Sequence, residues 1–248
     1  MINNCINKLQ DIFFQPTCLI CRSPGQGNLS ICSQCISQLK SNRHCCSRCS
    51  LPLETDSQVL CPQCQSQPPQ FHQSFIPFQY RGEIVNLIRN FKFSGNLTSG
   101  RVVAELFCRQ LDASDIAFPD VLVPVPLHPS RTRERGFNQA LWLADKISNY
   151  SGIPVNHKLV SRTSKSRAQH QLNKSARLRN LENAFKVESS PNNDQNFPAH
   201  IAIVDDVVTT GATANTIANT ITNTIASLFN HKSDMRIQLW AIARTPLE

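Results

Sequence analysis

Between Ile201 and Thr213 the chain reads Ile-Ala-Ile-Val, then Asp205 and Asp206, then Val207 and Val208, then Thr209, Thr210, Gly211, Ala212 and Thr213. The four apolar residues suit a buried strand, and ligands of open α/β folds collect beyond the carboxyl ends of such strands. Two adjacent carboxylates there accept hydrogen bonds from the vicinal hydroxyls of a ribose, and a charged acceptor makes the stronger bond. The hydroxyl-rich turn then opens a helix, so backbone N–H groups and a helix N-terminus converge on a point suited to a phosphate. Gly211 lets the backbone come close, and the threonine hydroxyls add donors. The plainer reading, an ordinary strand and capped helix with two solvated aspartates, requires coincidence at every position.

A second anion site is predicted from the basic strip. His128, Arg131, Arg133 and Arg135 follow the apolar strand Val121 to Pro126, and residues 125–180 carry eleven Lys or Arg against Glu134 and Asp145, a net of +9 (eleven minus two). Such a field attracts the phosphates of a nucleotide, of pyrophosphate or of nucleic acid. Three arginines at alternate positions supply bidentate donors for it, joined by Arg162, Lys165 and Arg177 further on. His128, between Pro126 and Pro129, is a candidate proton donor, although a lone His is more often structural. Phe91, Phe93 and Phe137 have the ring faces on which single-stranded bases stack, against the plainer expectation that each packs inside.

The segment Ile201 to Thr213 resembles, at all thirteen positions, the phosphoribosyl pyrophosphate (PRPP) signature of type I phosphoribosyltransferases. That resemblance implies a PRPP site made by Val204, Asp205, Asp206, Val207, Thr209, Thr210, Gly211, Ala212 and Thr213. Asp205 and Asp206 would carry the chemistry, Mg²⁺ would arrive with the ligand, and the arginine strip would hold the pyrophosphate. The order Pro126-Leu-His128-Pro129, Arg135-Gly-Phe-Asn-Gln139, Arg162-Thr-Ser-Lys165, Gln169-His-Gln-Leu172, Arg177-x-x-Asn180 and Ala184-Phe185 resembles the ComF family of bacterial competence proteins. The family resemblance implies a cytosolic role in natural transformation, handling incoming single-stranded DNA beside competence or recombination proteins. Where that family often has Glu-Arg, this chain has Ala176-Arg177, which frees the arginine from an acidic neighbour.

Nine of the eleven cysteines lie between Cys18 and Cys64, most in Cys-x-x-Cys pairs. With no secretory signal visible in the first fifteen residues, thiolates bound to metal are expected rather than disulfides. Cys18, Cys21, Cys32 and Cys35, with Cys46, Cys49, Cys61 and Cys64, are the predicted ligands of structural zinc. Spacing alone leaves open which knuckle pairs with which, whether one or two ions bind, and whether Cys45 replaces Cys46.

These residues need elements to position them. The expected architecture is an α/β domain over 68–248, like a type I phosphoribosyltransferase, with a mostly parallel sheet flanked by helices. It is preceded by a zinc-binding module over 1–67, ending in a Pro-containing polar stretch that reads as a linker. Strands are predicted at Phe75 to Tyr80, Val121 to Pro126, Ala199 to Val204 and Met235 to Ala243. Helices are predicted at Gly82 to Phe93, Gln139 to Tyr150 and Ala212 to Leu228. Residues 71–97 form a hood offering Tyr80, Arg81 and Lys92, none of which specifies a base. No apolar run reaches the roughly 20 residues that span a bilayer, so the expectation is a cytoplasmic protein without membrane insertion. Three functions remain open at this stage: DNA handling, phosphoribosyl transfer to a base or other nitrogen nucleophile, and PRPP or nucleotide sensing.

Overall fold

A computed structural model describes residues 16–54, 59–163, 184–188, 197–229 and 235–247 of the 248-residue chain. The chain opens with two cysteine ribbons, which contain the short helices α1 (Ser33–Gln38) and α2 (Pro62–Ser66). The expected strand over Phe75 to Tyr80 is two pieces, β1 (Gln73–Phe75) and β2 (Phe78–Gln79). Pro77 lies in the break and has no N–H to give a ladder. Next come α3 (Glu83–Phe93) and α4 (Leu97–Asp112). The sequence does not predict the second of these, because its first turn carries Thr98, Ser99 and Gly100, poor helix formers. Gly100 has a packing reason: a Cβ there would sit 2.7 Å from the Phe91 ring and 3.0 Å from Trp142, so the residue lets the helices close on each other.

The rest alternates as an α/β domain must. β3 (Val121–Pro124) leads to α5 (Pro129–Arg135) and α6 (Gln139–Ser151), and β4 (Val160–Arg162) pairs antiparallel with β5 (Phe185–Val187). β6 (His200–Val208), α7 (Ala212–Phe229) and β7 (Arg236–Arg244) complete the chain. β7 and β6 are the inner strands of one parallel sheet, with β3 beyond β6 and the two pieces β1 and β2 both beside β7. Ala202 and Val204 pack with α3, α4 and α6 on one face, while Ile201 and Ile203 pack with α7 on the other. Near-continuous apolar strands such as these are what a sheet covered on both faces demands.

The cysteine ribbons close the exposed edge of this sheet. Ser41 bridges to Phe78, the Gln79 N–H donates to Lys40 O (2.9 Å), and the Asn42 N–H donates to Pro77 O (2.8 Å). An unpaired edge invites pairing with another chain, and here the module occupies it. Cys18, Ile31, Cys35 and Leu39 of the first ribbon share a core with Ile84 and Phe107. The stretch that reads as a linker is held from both sides: the Gln70 N–H donates to Asn215 Oδ1 (2.7 Å), and Arg48 donates to Pro69 O (2.9 Å) and Phe71 O (3.1 Å).

Candidate functional site

β6 continues four residues beyond Val204, the point where its pairing with β3 stops and where the sequence had suggested its end. Among the described residues only β7 accompanies it further, so Asp205 and Asp206 stand at a sheet margin beyond the end of β3. The ladder with β7 skips Asp206. Each carboxylate is held by the backbone N–H of the next residue: Asp206 N to Asp205 Oδ1 at 2.8 Å, and Val207 N to Asp206 Oδ1 at 2.6 Å. Burial, and then the charge of Asp206, push the Asp205 carboxyl up to about 7, so near neutrality the pair can hold one proton.

Lys92, near the end of α3, places its Nζ 2.8 Å from Asp206 Oδ1 with both side chains largely covered. The sequence offered Lys92 only as an available hood residue. Its pairing with an acid on another element has no local signature. Thr209 and Thr210 are exposed after the strand, Gly211 turns at φ +77°, a conformation glycine adopts freely, and α7 begins at Ala212. The Thr210 hydroxyl accepts from the Ala212 N–H at 3.3 Å and caps the turn. The elements therefore bring the acid pair, one covered lysine and a glycine turn at a helix start to one sheet end, while Val204 is fully buried in the core.

The arginine strip is a seven-residue helix, α5. Alternate positions on a helix do not share a face: at 100° per residue Arg133 lies about 200° from Arg131, while Arg131 and Arg135 are neighbours one turn apart. Arg135 is half-buried, its guanidinium 4.9 Å over the ring of Phe93, with Nη1 donating to Gln139 Oε1 at 3.2 Å. Phe93 is 63% exposed, whereas Phe91 is fully buried against Phe137 and Trp142. Of the three stacking candidates, Phe93 is thus the most exposed ring. Arg162, on β4, lies 5.4 Å over Phe185, and burial, then the charge of Arg131, lower its pKa, so these two cations share one neighbourhood. His128 caps α5, its Nδ1 accepting from the Ser130 N–H at 3.2 Å. Lys165 and Arg177 lie outside the described residues.

The cysteines resolve into sequential clusters, Cys18, Cys21, Cys32 and Cys35 in one and Cys46, Cys49, Cys61 and Cys64 in the other, with sulfurs within 4.8 Å of one another. The Cys21–Cys32 and Cys49–Cys61 sulfurs are 3.6 and 3.7 Å apart, close to the edge of about 3.8 Å of a tetrahedron with Zn–S near 2.3 Å. Cys32 Sγ also accepts from the Cys35 N–H at 3.4 Å, as a thiolate ligand does. Cys45 stands outside the cluster that Cys46 joins. Four soft donors in each site fit structural zinc and leave no open position for chemistry.

A zinc ribbon module seated on the edge of a parallel α/β sheet, with an acid pair and glycine turn at the end of an inner strand, is the class these features define. The double zinc ribbon domain family matches residues 9–65. Competence protein F of Haemophilus influenzae is 34% identical over 242 residues, 94% of this chain and 98% of that protein. DNA utilization protein YhgH of Escherichia coli K12 is 31% identical over 233 residues, 92% and 96% of the two chains. Competence protein ComFC of Bacillus subtilis is 28% identical over 193 residues, 74% of each. The chain belongs to the ComF family of competence and DNA utilization proteins.

Proposed function

We propose that this protein handles single-stranded DNA in natural transformation, in the cytoplasm, and carries a PRPP-binding site at the end of β6. The names of its relatives, competence protein and DNA utilization protein, support the first part. The observation that carries the second is the acid pair with Lys92 on Asp206, followed directly by the Thr209 to Gly211 turn into α7. Asp205 and Asp206 accept from the ribose hydroxyls, and the turn with Thr213 cradles the 5-phosphate. Mg²⁺ is held mainly by the pyrophosphate and the ribose hydroxyls, as suits a cation that keeps few protein ligands. Arg131 with Arg162, and Arg135 on Phe93, supply a basic, stacking surface beside that site, which suits a DNA strand as well as a pyrophosphate. Competence or recombination proteins are the partners this reading implies.

Calorimetric titration of PRPP with Mg²⁺ into wild type and an Asp205→Ala, Asp206→Ala double variant tests the site. Repeating it with a short oligonucleotide bound tests whether DNA shares it. Binding by wild type alone supports the reading, and equal binding by both proteins removes it. Retention of the oligonucleotide must also fall with salt, since backbone contacts release counterions. Phosphoribosyl transfer is a second reading, favoured by the acid pair's capacity to hold one proton near neutrality. It requires pyrophosphate release from PRPP in the presence of a nitrogen nucleophile.

A further inference from the structure

Arg244, the last residue of β7, is 4% exposed. Its guanidinium donates from Nε to Cys49 O at 3.2 Å, and from Nη1 to Val208 O and Thr245 O at 3.2 Å each and to Thr209 O. Among the described residues no carboxylate pairs with it. Its link to the second cysteine site is geometric: the carbonyl oxygen that it holds belongs to Cys49, one of the four predicted ligands there. A zinc ion on four thiolates keeps a net charge of −2, which a buried guanidinium complements, and outer-shell partners of this kind tune metal affinity.

Two of the other acceptors, the Val208 and Thr209 carbonyls, belong to the phosphate turn. A peptide unit is planar, with C=O and N–H on opposite sides. Fixing the Val208 and Thr209 carbonyls on Arg244 therefore fixes the Thr209 and Thr210 N–H groups on the far side, away from the guanidinium. A second route runs from the same knuckle. Arg48, one residue before Cys49, donates to Phe71 O, and the Phe71 ring lies 3.8 Å from where a Cβ on Gly211 would be. Among the described residues nothing comparable links the first cysteine cluster, whose buried members pack against α3 and α4, to the turn.

We propose that Arg244 is a positioning residue joining the second cysteine site to the Val208–Gly211 turn, so that losing metal from Cys46, Cys49, Cys61 and Cys64 loosens the phosphate cradle. The ligand assigned to the cradle rests on the function proposed above; the mechanical link does not.

The test uses full-length, zinc-loaded protein: wild type, Arg244→Gln, Cys64→Ser and their double variant. Three quantities are read: exchange of the Thr245 and Asn215 amides, which are bonded to the turn's carbonyls, chelator-driven zinc release, and PRPP binding with Mg²⁺. For Arg244→Gln the expectation is about tenfold faster zinc release from one of two sites, the other unchanged, with about tenfold faster exchange at Thr245 and Asn215, whose N–H groups donate to Val208 O and Gly211 O. Cys64→Ser should speed the same amides, and the double variant should add nothing further. Unchanged exchange in Cys64→Ser, or effects that multiply in the double variant, would overturn the link. If Cys64→Ser fails to fold, Arg244→Gln decides alone: both rates faster supports the link, and only one faster refutes it. Wild type that fails to bind PRPP removes the assigned ligand, and the exchange and release rates still decide the coupling.

Discussion

The Lys92 ammonium lies 2.8 Å from the Asp206 carboxylate, across 114 residues of sequence (206 minus 92), and ties α3 to the acid pair. One cation reduces the charge of the pair and eases the approach of a polyphosphate. Replacing it leaves Asp206, 8% exposed, without its counter-charge. Lys92→Met is expected to lower stability by about 1–3 kcal/mol, several degrees in Tm for a chain of this size. PRPP binding should weaken by about tenfold as repulsion returns, a loss of about 1.4 kcal/mol. Thermal unfolding and calorimetry check the two effects, and an unchanged Tm would mean that the ion pair contributes nothing.

The pH response follows from Asp205. Its folded pKa is raised from 3.8 to about 7, so the folded protein holds this proton more tightly than the unfolded chain does. The ionised carboxylate therefore costs nothing below about pH 4, and its cost grows as pH rises towards 7. Asp205→Asn removes that cost while an amide oxygen can still accept from the Asp206 N–H. The variant is expected to be more stable than wild type at pH 8 by about 1–3 kcal/mol, with the gap closing as pH falls to 4. Denaturant unfolding at pH 4, 6 and 8 measures the gap, and a gap that widens on acidification would reverse the sign argued here.

The strands were legible because their chemistry is local. Val121 to Pro124, Ile201 to Val204 and Leu239 to Ala243 are unbroken runs of apolar residues, and only a sheet covered on both faces accommodates them. The cysteine pairs were legible as ligands, but their partnership depends on how two ribbons sit on a sheet edge, which spacing does not encode. Two side chains escaped assignment for the same reason. Lys92 reads as one more exposed helix lysine, and Arg244 as the polar end of a strand. Their partners, Asp206 and Cys49, are remote in sequence, the second by 195 residues. A charged residue directly after the apolar run Leu239 to Ala243 was the available signal, since buried guanidinium groups require acceptors.

Two zinc ions per chain are expected by elemental analysis, with one lost for a single Ser in either cluster. The consequences for folding should differ. Cys35 lies in the core that holds Ile84 and Phe107, whereas Cys64 packs mainly within its own ribbon, with Leu51. Cys35→Ser is therefore expected to weaken the tertiary signal of the buried Trp240, which belongs to the same core as Cys35. Cys64→Ser should leave most of it. Near-UV circular dichroism checks this, and equal loss in both variants would show the two ribbons to be energetically equivalent.

Phe93 and Arg131 separate stacking from charge in the proposed DNA surface. The 63% exposed Phe93 ring has Arg135 over it, so a base on its free face would gain about 1–3 kcal/mol of stacking. Phe93→Ala should then weaken binding of a short single strand roughly 5- to 150-fold, with the salt dependence unchanged, because no phosphate contact is lost. Arg131→Ala removes a cation and leaves the ring, so affinity should fall at low salt and the salt slope by about 0.7. Fluorescence anisotropy across a range of salt concentrations distinguishes the two. If Phe93→Ala changed the slope, or Arg131→Ala left it alone, the strand would run elsewhere on the protein, and the basic helix would serve pyrophosphate alone.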